Sequence, residues 1–146
     1  MQTSDPLDQI ILIAQKNAAQ RGLTILHPQY VIEAILLQGM MNAKLRGIGI
    51  SSQELLTCLQ CDLGIEQSET THDQIILEDR EFVAFMRAAE EKAEDNGYMR
   101  VTTFCAFAAA LSITSGSTAR IFAQFGLTEE KLDGMIMPAE KVLALV

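Results

Sequence analysis

The chain has 146 residues, of which 49% are hydrophobic and 21% are charged, and its formal net charge at pH 7 is −8. These values are typical of a soluble globular domain, and a chain of this length buries enough surface to fold without a disulfide or a metal. The negative charge argues against a nucleic-acid partner, because no basic patch is available to displace counterions from phosphates.

The sequence has no feature typical of a membrane anchor or a secretion signal. The longest weakly polar stretch, Val101 to Ile113, has 13 residues, whereas a spanning helix needs about 20. The first residues, MQTSDPLDQ, lack the basic region of a signal peptide. Three cysteines, an odd number, favour reduced thiols. We therefore expect a cytoplasmic protein with no membrane partner.

Small and apolar residues recur along the chain at a spacing of about 75 residues. In this register the matched pairs include Leu7/Phe82, Ile10/Phe85, Ala14/Ala89, Ala18/Ala93 and Gly22/Gly97. With one and then two inserted residues, the correspondence extends to Leu55 and Leu132. The sequence thus predicts an all-α domain of two tandem four-helix repeats related by a pseudo-two-fold axis. Its predicted parts are repeat one (about 5–63), a linker (64–78), repeat two (about 79–137) and a C-terminal tail (138–146).

The first helix of each repeat has a one-sided apolar stripe and is predicted to end at Gly22 or Gly97, since glycine readily adopts the left-handed conformation that ends helices. The second helix begins at His27-Pro28 in repeat one and after Thr102 in repeat two. Because Thr is a good N-cap and Pro suits the first helical position, we interpret His27 as an N-cap rather than a catalytic residue.

The remaining elements are shorter. Third helices are predicted over about Asn42 to Gly47 and about Ser117 to Gln124, and fourth helices begin at Ser51 and Thr128. The stretch from Gly64 to Asp79 is interpreted as a polar connector. No alternating strand pattern longer than a few residues is present.

Cys58 and Cys61 form a C-x-x-C pair that lies near the end of a predicted helix. Redox use of such a pair requires a strand-to-helix junction, where the N-terminus of the helix lowers the pKa of a thiol. A zinc site would need two further ligands, and only Cys105, His27 and His72 remain, at spacings that match no common pattern. No P-loop motif is present. We expect no catalytic, cofactor-binding or metal-binding residue. The alternative is a small thiol or metal protein that uses Cys58, Cys61 and His72.

The order and duplication of these elements resemble the amino-terminal domain of the Clp AAA+ ATPases, a family that unfolds or disaggregates proteins. The segments that carry the resemblance are AQKNAAQRG, HPQYVIEAILL and GISSQEL, then AEEKAEDNG, TTFCAFAAAL and GLTEEKL. It covers the chain from about Pro6 to Met137. The family's Glu-His pair is replaced by Gln29-Tyr30 and by Phe104-Cys105, so roles tied to that pair do not carry over.

The resemblance implies a non-catalytic domain that docks polypeptide substrates or an adaptor protein for a Clp-type unfoldase. A free-standing accessory subunit, with the Clp ATPase rings as its partner, is the alternative. The isolated domain is expected to be monomeric.

The candidate partner-binding residues are Phe82, Val83, Arg87 and Tyr98. Phe82 and Val83 flank the apolar stripe and are placed in the groove between the repeats, whereas Met86 shares the stripe and is assigned to the core. Arg87 and Tyr98 are interpreted as polar anchors at the groove's rim, since Arg and Tyr are common in binding hot spots. The other interpretation is that all four are ordinary core or solvated residues. Likewise, the seven methionines are either core filler or an adaptable binding surface.

Overall fold

A computed structural model describes residues 1–62, 77, 78, 80–114 and 116–138. Over these residues the chain is mostly helical with almost no strand, which confirms the predicted all-α class. The α-helices are α1 (Asp5–Gln20), α2 (Pro28–Leu37), α3 (Asn42–Gly47), α4 (Ser52–Asp62), α5 (Arg80–Asp95), α6 (Thr103–Ala108), α7 (Thr118–Gln124) and α8 (Glu129–Gly134). A 3-10 helix, η1 (Ala109–Ser112), continues α6.

The two long helices end at the glycines that the sequence indicated. Gly22 has φ 77° and Gly97 has φ 78°, the left-handed region in which glycine is least strained. After α1, the N–H of Gly22 donates to the carbonyl of Ala19 at 2.9 Å and that of Leu23 donates to Ala18 at 3.0 Å. These two bonds form a Schellman motif, which satisfies carbonyls that the end of a helix leaves unpaired.

The second helices of both halves and α8 begin where the sequence predicts, but not every N-cap side chain makes a capping hydrogen bond. Thr102 and Thr128 are N-caps, and each side-chain oxygen accepts a bond of 3.3 Å from the backbone N–H three residues later. His27 occupies the N-cap of α2, followed by Pro28, but its side chain makes no capping hydrogen bond. Its Nδ1 lies 3.9 Å from Oε2 of Glu81 instead. His27 is therefore an N-cap by position and backbone, and its ring contacts the other half of the chain.

Two very short parallel pairings join the halves. Strand β1 (Ile25–Leu26) pairs with strand β2 (Leu77–Glu78), and Thr3 forms an isolated parallel bridge with Val101. Neither pairing was predicted, because a strand of two residues shows no alternation. Apart from β2, the predicted connector from Gly64 to Asp79 lies outside the described residues.

The two pairings correspond to each other in the 75-residue register. Leu26 pairs with Glu78, and adding 75 to Leu26 gives Val101, whereas subtracting 75 from Glu78 gives Thr3. The segment that leads into the first helix of each half therefore pairs with the segment before the second helix of the other half. A pseudo-two-fold axis between the halves would produce this exchange. The tandem repeat itself remains a prediction.

One hydrophobic core draws on both halves. The large buried side chains include Phe85, Phe107 and Phe122, and the rings of Phe107 and Phe122 lie 5.4 Å apart, centroid to centroid. Helix α2 is buried along nearly its whole length. Nearer the surface, Nζ of Lys92 on α5 lies 2.6 Å from Oδ1 of Asp133 on α8.

Candidate functional site

A groove with a volume of about 630 Å³ lies between α1 and α5. We call it the α1/α5 groove. Its lining consists of Met1, Thr3, Asp8, Ile11, Leu12 and Gln15 from the first half, with Phe82, Val83, Met86, Arg87 and Glu90 from α5. Three of the four predicted partner-binding residues, Phe82, Val83 and Arg87, are therefore brought together.

Corresponding positions of the two helices line this groove together. In the 75-residue register the pairs are Asp8/Val83, Ile11/Met86, Leu12/Arg87 and Gln15/Glu90. This is the lining expected of a groove on the predicted pseudo-two-fold axis. Only the α5 side was predicted, although the 75-residue register connects these α5 residues to their counterparts on α1.

The groove has an apolar floor and exposed apolar walls. Phe82 is buried, whereas Leu12 on α1 and Val83 on α5 are 50% and 49% exposed. Met86 was predicted to be core; it packs against the core but is only partly buried, and it also lines the groove. Half-exposed Leu and Val side chains leave apolar area in water, and covering that area is favourable by roughly 25 cal/mol per Å².

Charged groups lie along both walls. On α1, Asp8 accepts a hydrogen bond from the hydroxyl of Thr3. On α5, Oε1 of Glu90 lies 3.2 Å from the amino group of Met1. Arg87 is exposed and makes no ion pair with any residue that the structure describes. The groove thus offers an apolar surface with two carboxylates and one guanidinium that pairs with no described residue.

Tyr98 lies elsewhere. It lines a separate cavity with Phe104 and Met137, and its hydroxyl donates a hydrogen bond to the carbonyl of Met137. Burial raises the pKa of the Tyr98 hydroxyl above its ordinary value. The four residues selected from the sequence therefore do not form one surface.

A buried ion pair fixes the C-terminal end of α1 against α2. Both guanidinium Nη atoms of Arg21 donate to the two carboxylate oxygens of Glu33, each at 2.8 Å. The Glu33 side chain is 0% exposed, and the guanidinium lies 5.2 Å from the centroid of the Tyr30 ring. Hydrogen bonding to Glu33 raises the pKa of Arg21, and burial raises that of Tyr30. This pair was not predicted; its one signal in the sequence is a glutamate inside the apolar helix α2.

Of the three residues in the thiol or metal alternative, the structure describes the two cysteines. Cys58 and Cys61 are exposed free thiols on α4, Cys105 is buried, and His72 lies outside the described residues. Within the described ranges, no group of three or more His, Cys, Asp or Glu side chains is placed to hold a metal ion. The helices of these same ranges include none with the length and apolar character needed to cross a bilayer.

Comparisons with known proteins identify the fold. No protein-family model matches the sequence, and no curated protein matches it. Among solved structures, a chain from structural investigations of a malarial protein secretion system has a TM-score of 0.80 at 14% identity, over 92% of each chain.

Two further similar structures are N-terminal domains. The Hsp104 N-terminal domain from Candida albicans has a TM-score of 0.75 at 15% identity, over 92% of this chain and 88% of that one. The N-terminal domain of ClpD, a caseinolytic protease associated chaperone from Arabidopsis thaliana, has a TM-score of 0.66 at 14% identity, over 98% and 95%. The chain therefore has the fold of a Clp N-terminal domain, as the sequence resemblance implied.

Proposed function

We propose that the chain is a non-catalytic protein-binding domain that docks a segment of a substrate or adaptor in the α1/α5 groove for a Clp-type unfoldase. One observation carries the proposal: Leu12 and Val83 are half exposed in one groove, beside the exposed guanidinium of Arg87. The fold shared with the N-terminal domains of Hsp104 and ClpD supports it.

The groove is suited to an amphipathic segment. A helix that presents apolar residues at i, i+3, i+4 and i+7 lays a stripe of side chains into such a groove. Covering the remaining exposed area of Leu12 and Val83 contributes about 1 kcal/mol for each, roughly half of the value for full burial. The net charge of −8 and the carboxylate of Asp8, which makes no ion pair with a described residue, favour a basic polar face on the partner, whereas Glu90 is already paired with the amino group of Met1.

The test is binding of a fluorescein-labelled, end-capped amphipathic peptide made of leucine and lysine, the Leu/Lys peptide, measured by anisotropy. Val83→Asp should weaken binding by more than about 1 kcal/mol, or about fivefold, because it places a carboxylate on the apolar wall. Circular dichroism and the melting temperature should stay near wild type, since Val83 is already half exposed.

The matched control is Met99→Asp, which introduces the same charge at an exposed apolar residue outside the groove. It should leave the affinity for the Leu/Lys peptide unchanged. Equal binding by wild type and Val83→Asp would show that the α1/α5 groove is not the docking site. Unfolding of Val83→Asp would place the residue in the core.

A further inference from the structure

A second cavity of about 400 Å³ shares no lining residue with the α1/α5 groove. Its wall is almost wholly apolar and contains three of the seven methionines, Met40, Met135 and Met137, together with Phe104. We call it the methionine pocket. Of these methionines, Met40 and Met137 are exposed and Met135 is buried. Flexible, polarisable methionines let a binding surface adapt to different side chains, which favours the second interpretation of the methionines for this part of the chain.

A positive charge stands beside this apolar wall. Nζ of Lys44, on α3, lies 5.1 Å from the centroid of the Phe104 ring and lines the same pocket. Within the described residues Lys44 forms no ion pair. The chain as a whole carries a charge of −8, so the charge at this pocket is opposite in sign to that of the molecule.

We propose that the methionine pocket is a second docking surface, which binds a partner polypeptide segment that combines bulky apolar side chains with an acidic residue. The apolar side chains pack on Met40, Phe104 and Met137, and the carboxylate pairs with Lys44. The charge preference is opposite to that proposed for the α1/α5 groove, so the two surfaces select different segments. Tyr98 lines this pocket, so in this proposal it contacts a partner bound here rather than one bound in the α1/α5 groove.

The test uses an end-capped, fluorescein-labelled peptide of leucine and glutamate, the Leu/Glu peptide, with the Leu/Lys peptide as its charge-reversed match. Lys44→Glu should weaken binding of the Leu/Glu peptide about fivefold, since it replaces an attraction with a repulsion near the surface. Lys44→Arg should retain binding. Met40→Asp should weaken it by at least as much, because it removes apolar surface and adds a repelling charge.

Methionine methyl signals in NMR spectra locate each peptide directly. The Leu/Glu peptide should shift the signals of Met40 and Met137 and leave that of Met86, in the α1/α5 groove, in place. The non-specific attraction of an acidic protein favours the Leu/Lys peptide, so a preference for glutamate at this pocket has to come from local charge.

Three results would overturn the inference: no Leu/Glu binding up to about 1 mM, equal binding by Lys44→Glu, or shifts at Met86 instead of Met40. The proposed function is judged separately. Val83→Asp should leave Leu/Glu binding intact and weaken Leu/Lys binding, whereas Lys44→Glu should do the reverse. Either proposal can therefore be refuted while the other stands.

Discussion

Replacing Arg21 with Met should destabilise the fold strongly, although Arg21, the C-cap residue of α1, is partly exposed to solvent. Its side chain is 22% exposed, but its partner Glu33 is 0% exposed and accepts from it through both oxygens. Removing one member of a buried pair costs about 3–5 kcal/mol, because a carboxylate is left buried without compensation. Partial solvation of Arg21 favours the lower end, about 3 kcal/mol, which for a chain of this size lowers the melting temperature by about 6–12 °C.

The assay is urea denaturation followed by circular dichroism, with linear extrapolation to water. Arg46→Met is the matched control, since Arg46 is exposed on α3, and it should change the free energy of unfolding by no more than about 0.5 kcal/mol. The double variant Arg21→Met with Glu33→Leu should recover most of the loss, because it removes both charges and leaves an apolar contact. A loss below about 1 kcal/mol, or a double variant no more stable than Arg21→Met, would refute this reasoning.

Three other outcomes are expected. Gly49→Ala should destabilise by about 1–2 kcal/mol because Gly49 has φ 80°. Gly47→Ala should not, because Gly47 lacks a positive φ, and an added Cβ meets no atom within 4 Å at either glycine; equal effects in urea titrations would contradict the backbone argument. Burial acts to lower the pKa of Lys92, but its carboxylate partners on α8 raise it above the ordinary 10.5. The stabilisation lost in Lys92→Met should therefore be constant from neutral pH to about pH 10 and should shrink as the pH rises further; a decline that begins near neutrality would count against the pairing. Replacing Cys58 and Cys61 with Ser should preserve melting and Leu/Lys binding, and stoichiometric zinc in the purified protein would revive the metal alternative.

The sequence predicts the parts of the fold that depend on near neighbours. The glycine that ends α1 and the threonine that caps α6 act on backbone groups within five residues. Their positions can therefore be found from a short stretch of sequence. The apolar stripe of α5 is local in the same sense, and its flanking residues Phe82 and Val83 do line the groove.

The parts that were missed depend on where distant segments meet. The Arg21–Glu33 pair requires α1 to end beside α2, which no spacing in the sequence specifies. The second wall of the groove, with Leu12, was not identified because periodicity shows which face of a helix is apolar but not which helix lies opposite. Tyr98 was placed at the groove for its residue type alone, and the turn after α5 carries it to another cavity.

The exchanged pairings at the start of each half have a consequence for how the chain folds. Val101 donates its N–H to the carbonyl of Gln2 and accepts from the N–H of Ser4, both at 2.9 Å, and β2 is bonded to β1 in the same crossed sense. Either half alone would leave these backbone groups without partners and one face of the shared core in water. We therefore expect unfolding in a single cooperative step. A chain cut between α4 and α5 should yield two fragments that reassemble as a non-covalent heterodimer, with neither fragment an autonomous folding unit.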